Sequence, residues 1–317
     1  MRRRLSLITP AYNEELNIPV LYRRLVEVLD QVDMDWEWIV TDDHSSDRTF
    51  DVLSQISQRD GRVRAFRFSR NFGSHAGISC GLCEANGDCA VVLAADLQDP
   101  PELVPRLLKA WQGGSQVVWA ARGQRKGETA ATVGMSKLFY WIMRNVIGMR
   151  ELAATGADFF LIDRRVIDAY RTFDERNVNL FALVAWMGFR QETVTYTKEA
   201  RLHGTSGWTL KKKIKMAVDS ITAFSYLPVR VMSWTGVITA FGGFAYALFV
   251  IYNALMGHLM EGWASLMVMV MVLGGFNMLM LGILGEYVWR ALDESRRRPR
   301  YTIEAATTET LCTTRRT

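Results

Sequence analysis

Apolar residues in the first hundred positions fall into short runs separated by amphipathic stretches. Leu5–Thr9, Trp36–Thr41, Val63–Phe68 and Cys89–Ala94 are runs of strand length, of the kind that suits parallel strands covered on both faces. Leu16–Gln31 repeats Leu21, Leu25, Val28 and Leu29 at the spacing of a helix with one buried face. Arg48–Arg59 and Ala76–Ala85 read as two further helices. Alternation of this kind predicts right-handed crossovers and an α/β fold with a mostly parallel, doubly wound sheet.

The second half has a different pattern. Val231–Gly257 and Gly262–Gly285 contain no Asp, Glu, Lys or Arg, and each exceeds the roughly 20 apolar residues that cross a bilayer core. Two such runs in succession predict a helical hairpin turning near His258–Glu261. Arg230 and the lysines 211, 212, 213 and 215 precede the first run, while Arg290, Arg296, Arg297, Arg298 and Arg300 follow the second. Positive residues at both ends place both ends on the cytoplasmic side. Leu210, Ile214, Ala217, Val218 and Ile221 recur at helical spacing against the lysines, which predicts an amphipathic helix lying at the membrane surface. The expected organisation is a catalytic domain over 1–205, a juxtamembrane helix over 206–229, a transmembrane hairpin over 230–290 and a cytoplasmic basic tail over 291–317.

Charge and cysteine content narrow the classes. The net charge of +5 gathers beside the apolar runs, so anionic lipid accounts for it without nucleic acid. Arg2, Arg3 and Arg4 precede a run stopped at Pro10, too short for a signal peptide and read as a first strand. Cys80, Cys83 and Cys89 have small apolar neighbours and no fourth ligand at zinc spacing, so they read as reduced core residues.

Candidate chemistry gathers where strands end. Tyr12-Asn13-Glu14, Asp42-Asp43 and Asp96-Leu97-Gln98 each follow an apolar run. In a parallel sheet such tips lie along one edge and converge on one cleft. Asp96 and Gln98 are hard oxygen donors two residues apart, suited to Mg²⁺ or Mn²⁺ on a diphosphate. Asp99 reads as a helix-start residue before Pro100-Pro101.

These motifs, in this order, resemble the family 2 glycosyltransferases with the Rossmann-like GT-A fold, and within them the polyprenyl-phosphate glycosyltransferases. Thr9-Pro10-Ala11-Tyr12-Asn13-Glu14-Glu15 is similar to the family's P-x-Y-N-E opening, and Val40–Asp47 to its V-D-D-x-S-x-D segment. Ser69-Arg70-Asn71-Phe72-Gly73 and Asp96–Glu102 complete the nucleotide half. The resemblance implies a UDP-sugar donor held by Pro10, Tyr12, Asn13, Glu14, Asp42 or Asp43, Gly73 and Asp96, with the divalent ion on Asp96 and Gln98. Arg201, in an R-x-x-G-x-S-like loop, would cover the diphosphate. Asp158 matches the family position beside the reacting sugar carbon, as base or electrostatic organiser. Arg122 and Ser136 resemble phosphate-contacting positions, with Lys137, Arg125 and Lys126 nearby. Ala94 and Gly207 stand where many members carry Asp and Lys.

The resemblance is closest to bacterial bactoprenol glucosyltransferases. It implies inverting transfer of a hexose, glucose before mannose or an aminoarabinose, to undecaprenyl or a related phosphate at the cytoplasmic face of the inner membrane. It also implies a homo-oligomer, possibly a tetramer. A processive polysaccharide synthase would carry Q-x-x-R-W and more spans than this chain shows, and a catalytically silent scaffold is favoured by Ala94 alone.

Overall fold

The computed structural model describes residues 2–122, 158–173, 175, 179–197, 222, 225–256 and 262–308. The chain divides into two compact units, Met1–Ala217 with Pro299–Thr317, and Val218–Arg298.

The first unit is built on one sheet of eight strands in the order β7-β5-β6-β4-β1-β2-β3-β8. At its centre β1 (Arg4–Ala11) lies parallel between β2 (Asp35–Asp42) and β4 (Cys89–Val92), with β3 (Val63–Phe68) parallel beyond β2. These are the four apolar runs, and their C-terminal ends share one edge. On the far side of β4, β6 (Phe160–Asp163) runs antiparallel to both β4 and β5 (Val117–Arg122), and β7 (Gln191–Tyr196) is parallel to β5. Hence β5 and β7 run in the direction of β4, and β6 alone reverses among these seven. The eighth strand, β8 (Ile303–Ala306), lies antiparallel along β3. It falls within the segment expected to be a basic tail, and it is a strand of the first unit.

Helices cover both faces. On one face α1 (Ile18–Leu29) buries Ile18, Leu21, Leu25 and Leu29, the i, i+3, i+4 stripe of an amphipathic helix. The apolar cluster it packs into also takes Leu53 from α2 (Thr49–Arg59), Leu107 and Trp111 from α4 (Val104–Gln112), and Leu5, Leu7 and Val91 from the central strands. On the other face α3 (Ser74–Glu84) lies close against β1. A Cβ on Gly81 would stand 2.3 Å from Ile8 Cγ2, and one on Gly77 would stand 2.7 Å from Thr41 Oγ1. Glycine is what permits this approach. Two short helices, α5 (Arg164–Tyr170) and α6 (Leu180–Trp186), follow β6.

The second unit holds α7 (Leu227–Leu255) and α8 (Trp263–Ser295). Windows over Leu227–Asn253 and Leu266–Ser295 have mean hydropathies of 1.7 and 2.2, and no part of either window is buried. Phe241, Leu255 and Met278 are exposed. Exposed apolar surface of this extent marks a membrane or partner contact, and both helices are long and apolar enough to cross a membrane. Towards the end of α8 the character changes: Tyr287 Oη donates to the Ser225 carbonyl at 2.8 Å, and Arg290 pairs with Glu286 at 2.7 Å.

Candidate functional site at the carboxyl edge of the sheet

Loops leave the same edge after β1, β2, β3 and β4, and each contains a residue in the left-handed region. These are Asn13 at φ 57°, His44 at 61°, Gly73 at 91° and Leu97 at 59°. For non-glycine residues that conformation is costly and is kept only where surrounding contacts impose it.

Hydrogen bonds between the first two loops impose it at Asn13. Ser45 Oγ accepts from Asn13 N at 2.9 Å, and Asn13 Oδ1 accepts from Ser46 N at 2.9 Å. Thr49 Oγ1 accepts from Glu14 N at 2.9 Å and donates to Asp47 Oδ1 at 2.5 Å. Asp47 Oδ2 accepts from Glu15 N at 3.2 Å, and Glu15 Oε2 accepts from Arg48 N at 3.0 Å. The first two loops are therefore latched residue by residue. Asn13 and Glu14 spend their backbone or side-chain groups on this latch, while Tyr12 stays 49% exposed at the edge, free to present a ring face. Pro10, the next-to-last residue of β1, lies beside α3, where its Cβ would stand 3.0 Å from a Cβ on Gly77.

Asp42 and Asp43, both buried, hold the neighbouring loops. Asp42 Oδ1 accepts from Ser45 N at 3.0 Å and from the Ser45 hydroxyl. Asp43 accepts from Phe72 N at 2.6 Å and Gly73 N at 2.8 Å, which fixes the start of α3. Burial pushes both carboxyls above their ordinary range, against the pull of these donors. Each carboxylate keeps acceptor capacity beyond the bonds it makes.

At the tip of β4, Asp96 is buried and its Oδ1 accepts from Gln98 N at 3.2 Å. Among the described residues no group of three or more His, Cys, Asp or Glu stands close enough to hold a metal by itself. Asp96 with the half-buried Gln98 amide is a partial, all-oxygen donor set. It fits a hard cation that takes its remaining ligands from substrate phosphates and water, the usual way Mg²⁺ is held. Asp99 does not start a helix. The helical turn begins at Pro101, and Asp99 is fully buried where the Tyr196 hydroxyl at the end of β7 donates to it.

The reversal of β6 brings in a further acid. β6 pairs with β4 so that Phe160 faces Val92, and it therefore begins at the edge where β4 ends. Asp158, half-buried, lies two residues before that beginning. Arg122 is the last residue of β5, so its backbone reaches the same edge. Ser136, Lys137 and Arg201, like Arg125, Lys126 and most of the expected juxtamembrane helix, lie outside the described residues.

The latch residues Ser45, Asp47 and Thr49 were not among the expected site residues. A run of Ser, Asp and Thr beside a strand tip is nevertheless the composition that bonds to nearby backbone. Arg67, whose Nη1 stands 3.7 Å from Asp42 Oδ2, had no sequence signal at all.

Residues 6–171 match the family model described as Glycosyl transferase family 2, and that span contains Glu14, Asp42, Asp43, Asp96 and Asp158. The chain belongs to glycosyl transferase family 2. It is a glycosyltransferase, and its mostly parallel mixed sheet is the GT-A arrangement. The family likeness extends past the matched span: the uncharacterized glycosyltransferase YkcC of Bacillus subtilis is 39% identical over 94% of this chain and 93% of its own length. The bactoprenol glucosyl transferase of Shigella phage SfV is 32% identical over 95% of this chain and 98% of its own. Among solved structures, mannosyl-3-phosphoglycerate synthase from Rubrobacter xylanophilus shares the fold, with a TM-score of 0.50 at 16% identity over 74% of this chain and 75% of that one.

Proposed function

We propose that this glycosyltransferase moves a hexose, glucose in the first instance, from a UDP-sugar to undecaprenyl or a related polyprenyl phosphate at the cytoplasmic face of the inner membrane. The observation that carries the reading is the likeness to bactoprenol glucosyl transferase, which runs over 95% of the chain and so includes the apolar hairpin as well as the sheet. A lipid-linked acceptor explains why a sugar-nucleotide fold and two exposed apolar helices occur in one chain.

In this reading Tyr12 offers its ring to the base, and the acids at the β1 and β2 tips, Glu14 and Asp42 or Asp43, accept from the base N–H or ribose hydroxyls. Pro10, Asn13 and Gly73 shape the loops around the nucleotide, and Arg201 covers the diphosphate. Asp96 and Gln98 hold Mg²⁺ or Mn²⁺, which when bound neutralises charge on the departing nucleoside diphosphate. Arg122, Ser136 and Lys137 receive the lipid phosphate. An oxygen of that phosphate attacks the anomeric carbon as the bond from that carbon to the diphosphate oxygen breaks, so configuration inverts and no covalent enzyme intermediate forms. A phosphate nucleophile is already anionic near neutral pH, so Asp158 contributes more by orienting and stabilising charge than by removing a proton. The hairpin anchors the enzyme with both ends in the cytoplasm, and the family resemblance favours a homo-oligomer, up to a tetramer.

The test is purified full-length protein with labelled UDP-glucose, polyprenyl phosphate and Mg²⁺ or Mn²⁺, with GDP-mannose and a UDP-aminoarabinose derivative as competing donors. Labelled lipid is expected from UDP-glucose. Lipid labelled only from another donor would reassign the sugar, and no labelled lipid from any donor would sink the reading. Asp96→Ala is expected to lower turnover about 10³-fold, and Asp158→Asn about 10²-fold with UDP affinity intact.

A further inference from the structure

After α8 the chain returns to the sheet, and only seven residues, 296–302, separate that helix from β8. The return is held at several points. Ser69 N donates to the Thr302 carbonyl at 3.0 Å, the Tyr301 ring stacks on Phe68 at 5.0 Å, and Arg300 donates to Tyr170 Oη at 3.1 Å and to the Phe173 carbonyl. Beyond the strand, Thr307 Oγ1 accepts from Ala65 N at 2.9 Å.

This docking brings Glu304 against the donor side of the sheet. Its Oε2 lies 3.4 Å from Arg67 Nε and 3.5 Å from His44 Nδ1. Arg67 then spans the gap to the β2 tip. Its Nη1 stands 3.7 Å from Asp42 Oδ2, a buried oxygen with an ion-pair partner but no hydrogen bond. Its Nη2 donates to the Ser45 carbonyl at 3.2 Å, and its plane faces the Phe50 ring at 5.7 Å. Each edge of the guanidinium is thereby assigned. A planar fork held along one edge has its opposite edge aimed.

We infer that Glu304 is a positioning residue of the donor-nucleotide site: by holding the Nε edge of Arg67 it aims the other edge at Asp42 and the Ser45 carbonyl, and so sets the loop after β2 in its binding form. The inference rests on the reading of the β2 tip as part of the donor site. Glu304 is half exposed, so its direct field at Asp42 is screened and its effect passes through the placement of Arg67. Among the described residues, the other charged or titratable neighbours of Asp42, namely Asp43, His44 and Asp47, come from its own loop. Arg67 is the cation that the structure pairs with it.

The experiment uses the full-length protein in detergent micelles, titrated calorimetrically with UDP and with GDP in the presence of Mn²⁺, alongside steady-state rates. Glu304→Gln is expected to weaken UDP binding about fivefold, the low end of coupling between sites. KM for the UDP-sugar should rise to match while kcat stays within about twofold, the pattern of lost binding without lost chemistry. Glu304→Asp, which keeps the charge, should fall between the two. Thr307→Val loosens the same strand without touching the charged line, so it should lower the thermal midpoint and leave UDP affinity unchanged. Native affinity in Glu304→Gln, or an equal loss in Thr307→Val, overturns the positioning role and leaves the proposed reaction standing. Native protein that binds neither UDP nor GDP removes the donor assignment and this inference together.

Discussion

Asp42 is under opposing demands. Desolvation raises its carboxyl above the ordinary range, so at neutral pH the buried charge costs folding stability that is recovered as the carboxyl protonates. Asp42→Asn keeps an acceptor for Ser45 and removes the charge. The expected outcome is a thermal midpoint raised by about 2–4 °C, as for roughly 1 kcal/mol in a chain of this size. UDP affinity should fall at least about tenfold in the same variant, which trades function for stability. Scanning fluorimetry and calorimetry on the same sample check both halves. Asp42, Asp43 and Asp96 were legible because acids that follow apolar runs mark strand tips. Their partners were not. Asn13 and Ser46 are 33 positions apart, and Asp99 and Tyr196 are 97 apart. Asp99 read as a cap because Asp before two prolines is a local helix-start signal, whereas its actual partner lies on another strand.

At the level of elements, the closest packing is α3 on β1. A methyl at Gly81 would meet the buried, β-branched Ile8, which has few ways to yield. Gly81→Ala is expected to destabilise the catalytic unit by about 1–3 kcal/mol through overpacking. Gly61→Ala is the control, since nothing lies within 4 Å of that position. Denaturant midpoints of the two variants measure the difference. Apolar runs located β1 to β4 because strands buried on both faces need them. The same logic placed the start of α3 at Ala76, whereas the helix begins at Ser74, because Asp43 gathers the Phe72 and Gly73 amides and fixes the turn. The direction of β6 was not legible, since an apolar run carries no sign for parallel or antiparallel. Nor was β8, where Ile303-Glu304-Ala305-Ala306 is short, weakly patterned and embedded in basic sequence.

For the whole molecule, the uncharged runs located the two long apolar helices directly, because length and apolarity are what a candidate span requires and both are read from sequence. Response to acid depends on a group that no sequence pattern marked. His75, in the first turn of α3, accepts from Leu180 N at 3.3 Å through Nδ1 and meets the Phe181 ring edge-on at 5.1 Å. Burial pushes its pKa down to about 4. The unfolded chain takes up a proton near the ordinary value of 6.5 and the folded chain does not, so stability is full above pH 6.5 and declines as pH falls towards 4. The loss is on the order of 2 kcal/mol, less than the full linkage value because the residue keeps some contact with solvent. Thermal midpoints of the full chain between pH 7.5 and 4.5 should fall more steeply for native protein than for His75→Gln, which can still accept from Leu180. A parallel slope would remove His75 from this role. The position of β8 at the far end of the chain also orders events in time. During synthesis β1 to β7 leave the ribosome first, with the β3 edge open. The strand that closes this edge emerges only after both apolar helices have been made, so the eight-stranded sheet stays incomplete until that pair of helices exists.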